Sequence, residues 1–159
     1  MFNISTKSDY GFIVMLELAR RYQDGLVSLS DIAKRRKLSS GYLVQILQPL
    51  LKAKLVISKE GKGGGYKLAR RPKEISVLEI IEALEGKMDL VKCLKRGKEC
   101  CAGFAACDAK NIWGIIASDV KNMLGKKMLA GLLKKIKNFQ FWLGMNRGEN
   151  LLKTRFYLS

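Results

Sequence analysis

The stretch from Ser28 to Ala69 constrains the fold more than any other part of the chain. It opens with Ser28-Leu29-Ser30-Asp31, a helix-capping signal ahead of SDIAKRRKL, in which Ile32, Ala33 and Leu38 face inward and Lys34 to Lys37 form a basic block. A second cap, Ser39-Ser40, precedes GYLVQILQPLLKAKLV, where Leu43, Ile46, Leu47, Leu50 and Leu51 recur at helical spacing on one face. Two short helices joined by a tight polar turn make a helix-turn-helix. Pro49 lies inside the second helix, removes a backbone donor and predicts a bend or an end near Gln48. Beyond it, the alternating segments Lys54 to Ser58 and Tyr66 to Ala69 are joined by KEGKGGG, which predicts a two-stranded hairpin with a glycine-rich tip. Helix, turn, helix, hairpin is the order of a winged helix, so the expected fold class is mainly α with a two-stranded wing.

The flanks extend this frame. Residues 6–22 have a helical apolar rhythm, and Thr6 with Asp9 three residues on predicts a capping box at the start of a first helix, with Asp9 complementing the helix dipole. Ser76 and Glu79 form another such pair, opening SVLEIIEALEG with Ile80, Ile81 and Leu84 inward and Gly86 as the stop. All four cysteines follow within CLKRGKECCAGFAAC, at Cys93, Cys100, Cys101 and Cys107. Such clustering points to one shared role, as a metal or iron-sulfur site, a redox switch or a disulfide pair. Next, DAKNIWGIIASDVKNMLG carries Ile112, Ile115, Ile116, Val120, Met123 and Leu124 as a long helical stripe, suited to a dimer seam or to packing on its own domain. The expected organisation is a winged-helix DNA-binding domain at 1–86, a cysteine loop at 87–108, a dimerisation helix region at 109–133 and a basic tail of unassigned role at 134–159.

Charge and composition narrow the function. Thirty Lys and Arg against fourteen Asp and Glu give a formal +16, a field that attracts polyanions, of which nucleic acid is the commonest. The chain has no histidine, which excludes Ser-His and Cys-His catalytic pairs, imidazole bases and histidine zinc ligands. GKGGGY lacks the Lys-Ser/Thr ending of a phosphate-binding loop, so an enzyme is not expected. No run of 18 apolar residues occurs and MFNISTKSDYGF lacks the pattern of a secretory leader; the expected location is the cytoplasm, with reduced thiols and no membrane partner.

Double-stranded DNA is then the expected partner. The second helix of the pair is the major-groove reader, because residues at its N-terminal end reach base edges. Ser39, Ser40, Tyr42, Val44 and Gln45 lie there, and Gln45 suits adenine. On the wing, Lys59 and Lys62 beside Gly63 and Gly64, with Arg70, Arg71 and Lys73 behind them, suit phosphates or a minor groove.

The succession SLSDIAKRRKLSSGYLVQIL, GKGGGYKLAR, ISVLEIIEALEG and clustered cysteines resembles the Rrf family of winged-helix transcription regulators over about residues 1–125. The resemblance implies a homodimeric DNA-binding regulator whose operator affinity is controlled by an iron-sulfur cluster, [4Fe-4S] or [2Fe-2S], sensing nitric oxide, redox or iron-sulfur status. The alternative within the family is a cluster-free regulator acting through thiol oxidation or a protein partner. By the same resemblance Cys93, Cys101 and Cys107, spaced C-x7-C-x5-C, are the cluster ligands, with Cys100 a rival for the middle place. Lys92, Lys95, Arg96 and Lys98 would offset the negative charge of a thiolate-bound cluster. The IscR-like branch supplies a histidine after the third cysteine and this chain has none. The NsrR-like branch completes its site with a carboxylate from the first helix of the partner subunit, a place that Asp9 matches in TKSDYG. Release of that weak oxygen ligand would loosen the dimer and change the half-site spacing it spans. Two departures stand out: Glu60 replaces the wing arginine, and Val44 replaces an acidic residue on the reading helix.

Overall fold

Serine hydroxyls cap the starts of three helices in the computed structural model, which describes residues 5–99 and 104–146. Ser28 accepts from the Asp31 amide at 3.1 Å and starts α2, Leu29–Arg36. Ser39 accepts from the Tyr42 amide at 3.2 Å and starts α3, Ser40–Lys52. Ser76 and Glu79 complete a reciprocal capping box at the head of α4, Val77–Glu85, and Gly86 caps its end. The first helix, α1, Thr6–Arg20, departs from its expected start: Ser5 is its N-cap and Thr6 is already helical, so no Thr6–Asp9 box forms. The Ser5 amide and hydroxyl donate to the distant Glu85 carboxylate instead.

Pro49 does not end α3, which continues to Lys52. It stands in the last turn, where it removes one bond, to the carbonyl of exposed Gln45, while Leu43, Ile46, Leu47 and Leu50 lock the inner face in the core at 0–1% exposure. Tertiary burial thus outweighs a local breaker. Lys54 then turns the chain through a left-handed conformation, so the first strand begins at Val56 rather than at Lys54.

Strand β1, Val56–Lys59, pairs antiparallel with β2, Gly65–Leu68, with Val56 opposite Leu68 and Lys59 opposite Gly65. The glycine run at the tip has an internal reason. A Cβ at Gly64 would run into the Lys59 carbonyl oxygen, and one at Gly65 into the Val27 carbonyl oxygen. The second approach exists because Val27 and Tyr66 exchange backbone hydrogen bonds at 2.9 and 2.8 Å, which ties the wing to the chain just before α2.

The core joins α1, α2, α3, the sheet and α4 through buried Val14, Leu18, Ile32, Leu43, Leu50, Val56, Leu68 and Ile80. After α4 the chain runs through short α5, Lys92–Arg96, and two single turns, Gly97–Glu99 and Phe104–Ala106, into α6, Asp108–Gly125. Helix α7, Leu129–Asn146, then returns to the first domain. Its entry is stitched there by Val77 N–H to the Lys127 carbonyl at 2.8 Å and Leu129 N–H to the Ile75 carbonyl at 2.9 Å. Leu129 is fully buried in the core, with Leu133 packed against it. The winged-helix body therefore includes a piece of chain from beyond α6, and a helix covers much of the stretch from 134 on that the sequence leaves unassigned.

Candidate nucleic-acid interface and cysteine segment

Helix α3 buries one side and presents Ser40, Gly41, Val44, Gln45, Gln48 and Lys52 on the other. Ser39, also exposed, caps the helix, which leaves its hydroxyl tied to the Tyr42 amide. Tyr42 is half-buried, and its ring stands edge-on to Tyr10 of α1 with centroids 5.5 Å apart. The N-terminal end of α3 thus leans on the residue that follows Asp9.

The seat of α2 is electrostatic. Glu17 is buried in α1 and faces four guanidinium groups: Arg36 at 2.9 Å, Arg35 at 3.5 Å, Arg20 at 3.6 Å and Arg21 at 3.8 Å. A buried carboxylate without such partners would carry a large desolvation cost, so the cage fixes α2 against α1 and thereby orients the turn into α3. The helical rhythm of residues 6–22 does not by itself reveal this role of Glu17. The signal was there: an acid three residues after Val14, on the inward side of α1.

On the wing, Lys59 and Lys62 are exposed beside Gly63, whose φ of +79° shapes the turn. Arg70 is already engaged: its guanidinium pairs with Glu79 and donates to the Glu74 carbonyl at 3.1 Å. Burial alone would push the Glu79 carboxyl up, but bonds from the Ser76 amide, Arg70 and the Ser76 hydroxyl outweigh it and hold that group below its ordinary value. Arg70 thus anchors the base of the wing to the cap of α4.

A second clamp joins α1 to the end of α4. The Ser5 amide and the Ser8 hydroxyl donate to Glu85 Oε1 at 2.9 and 2.6 Å, alongside the Ser5 hydroxyl. Desolvation opposes ionisation here as well, and these bonds again prevail, holding Glu85 below its ordinary value. The first turn of α1, which carries exposed Asp9, is therefore fixed to the helix that leads directly into the cysteine segment.

Cys93 lies in α5 and Cys107 is the N-cap of α6; both are free thiols and partly exposed. Helix α5 packs on α6, Met88 is fully buried, and Asp89 pairs with Lys121 of α6 at 4.0 Å. Cys100 and Cys101 lie outside the described residues. Among the described residues no three cysteine or carboxylate groups converge on a metal-sized space. The donor set itself, reduced sulfur at two ends of the segment and an exposed carboxylate at Asp9, fits thiolate-ligated iron chemistry and offers no nitrogen ligand.

Helix α6 buries Ala117 and half-buries Val120 and Leu124, with Gly125 against Leu78 of α4. The rest of its stripe, Ile112, Ile115, Ile116 and Met123, is exposed, as is Trp113 next to it. Among the described residues, no helix is long and apolar enough to cross a membrane.

Comparison with known proteins agrees with this architecture. The family model Rrf2, described as an iron-dependent transcriptional regulator, matches residues 4–135. The chain is 37% identical over 130 residues to the HTH-type transcriptional regulator IscR of Aliivibrio salmonicida, covering 82% of this chain and 76% of the relative. Among solved structures it resembles CymR, the global cysteine regulator of B. subtilis, at a TM-score of 0.66 and 35% identity, over 85% of this chain and 98% of that one. It also resembles T. potens IscR at a TM-score of 0.64 and 35% identity, over 87% and 91% of the two chains.

Proposed function

This chain belongs to the Rrf2 family of DNA-binding transcriptional regulators, and we propose that it acts as a homodimer whose grip on its operator is set by an iron-sulfur cluster on the cysteine segment. In this reading α3 enters the major groove through Ser39, Ser40, Tyr42 and Gln45. Lys59 and Lys62, with the backbone of Gly63 and Gly64, meet phosphates or the adjacent minor groove, while Arg70 holds the wing in place from behind. Cys93, Cys101 and Cys107 hold the cluster, Cys100 being the rival for the middle place, and Asp9 of the partner subunit supplies an oxygen ligand. When bound, the cluster supplies a centre sensitive to nitric oxide and redox state.

The observation that carries this reading is the double role of α6. The same helix bears Cys107 at its N-cap and an open apolar stripe of Ile112, Ile115, Ile116 and Met123. A dimer seam on that stripe makes the ligand-bearing end of α6 part of the device that spaces two α3 helices. The α1–α4 clamp at Glu85 then connects Asp9 and the cysteine segment to the body that holds α3.

A second reading is favoured by the likeness to CymR and by the two partly exposed thiols: a metal-free regulator that responds to thiol oxidation. Anaerobic reconstitution with iron and sulfide separates the two. The cluster reading expects visible absorbance and bound iron in the wild type, lost in Cys93→Ala and Cys107→Ala. A colourless, iron-free wild type that still binds DNA, and releases it on mild oxidation, supports the thiol reading instead.

A further inference from the structure

The outward face of α3 has an unusual chemistry for a DNA reader with a +16 chain behind it. Along it stand Ser40, Gly41, Val44, Gln45 and Gln48, and the single charge on that face, Lys52, lies at the far C-terminal end, about 12 Å along the axis from Val44. In the major groove guanine is read by Arg or Lys on O6 and N7, and cytosine by Asp or Glu accepting from N4; adenine takes the amide of Asn or Gln on N6 and N7, and thymine offers a methyl group to apolar side chains. The central part of this face holds none of the first two sets and both of the last two.

Two of these residues have no reason inside the chain. Val44 is 36% exposed, and outside α6 it and Ile57 are the large exposed apolar side chains among the described residues. A β-branched residue is also a poorer helix former than the straight-chain alternatives, so neither packing nor propensity explains it. Gly41 is exposed in the first turn, where an added Cβ would meet nothing within 4 Å, so no neighbour requires its absence. A bare backbone there leaves room for DNA to approach closely.

We propose that α3 is built to read A·T base pairs: Val44 meets a thymine methyl, and Gln45 with Gln48 meets adenine edges on adjoining pairs. Val44 is the specificity-determining residue of this set, and the half-site it selects has A·T pairs at its major-groove centre. The inference rests on the proposed function, in which α3 occupies the major groove.

The test uses the full chain with duplexes selected from a random library, followed by chemical substitution in the selected site. Wild type is expected to enrich A·T pairs at consecutive positions of each half-site. Replacing the contacted thymine by deoxyuridine removes one methyl group and nothing else, and should weaken wild-type binding about fourfold. Val44→Ala, whose fold is checked by circular dichroism, should bind both duplexes equally. Gln45→Ala should relax the preference for adenine at one neighbouring position by about tenfold. Selected half-sites with G·C pairs at their centre, sequence-independent binding, or a wild type indifferent to uracil would each overturn the assignment while leaving DNA binding intact. Failure of the wild type to bind any duplex at low salt would instead overturn the placement of α3 in the major groove.

Discussion

In the winged-helix body, Val14, Leu18, Ile46 and Leu50 lie at 0–1% exposure, whereas on α6 the equally apolar Ile112, Ile115 and Met123 are 55%, 64% and 53% exposed. One region is sealed by its own chain, down to the return of Leu129 from beyond α6. The other packs on α4 through Ala117 and Gly125, is linked by Asp89 to Lys121, and turns the rest of its apolar surface outward. The body is packed as one unit beneath α3, while α6 leaves apolar side chains that no described part of the chain covers.

The largest effects should separate these regions. Leu50→Ala, at a fully buried position, is expected to cost about 2–5 kcal/mol in denaturant unfolding. Ile115→Ala on the open face should change the stability of the isolated chain by less than about 0.5 kcal/mol yet shift sedimentation from dimer toward monomer. Equal destabilisation by the two, with no change in mass, would erase the distinction. Next in size is Glu17→Ala, which leaves Arg36 and its neighbours without their shared carboxylate. It should cost roughly 1–3 kcal/mol, discounted for the partial exposure of the arginines, and weaken DNA binding by loosening α2.

A smaller effect depends on pH. Glu79 and Glu85 both titrate below their ordinary value of 4.5 in the folded chain. A carboxylate held below its unfolded value adds stability that is present above that value and disappears as pH falls through the folded one. Stability contributed by these two groups should therefore be full near neutrality and decline as pH falls below about 4.5, less so in Glu85→Gln, as followed by thermal unfolding. An unchanged slope in that variant would remove the Ser5–Ser8–Glu85 clamp from the account. Smallest is Gly41→Ala, expected to raise stability by about 0.5–1 kcal/mol because nothing in the chain opposes the methyl group, while weakening DNA binding.

Much of the body was legible because its signals are local. Ser28, Ser39 and Ser76 each cap the helix that follows them, and the spacing of Leu43, Ile46, Leu47 and Leu50 names the buried face of α3. What escaped depends on partners far along the chain. Ser5 rather than Thr6 caps α1, and the Ser5 hydroxyl goes to Glu85, eighty residues away. The Glu17 cage draws on Arg35 and Arg36 from the next helix. Pro49 predicts a bend or an end of α3 because a local rule carries no knowledge of the core beneath it, and nothing in the glycine run itself signals that Val27 lies beside Gly65. On the candidate site, the sequence marked Cys93, Cys107 and Asp9 as chemical groups, while the structure adds that α1, α4 and the start of the cysteine segment are physically joined.

In the function proposed above, the cysteine segment governs DNA binding by α3 through the geometry of a dimer. The most direct test of this is operator affinity under anaerobic conditions, measured for reconstituted wild type and for Cys107→Ala at one salt concentration, with dimer mass followed in parallel. An affinity difference of about tenfold or more is expected, with the wing and α3 unaltered. Identical affinities from two proteins that both remain dimeric, one with bound iron and one without, would contradict it.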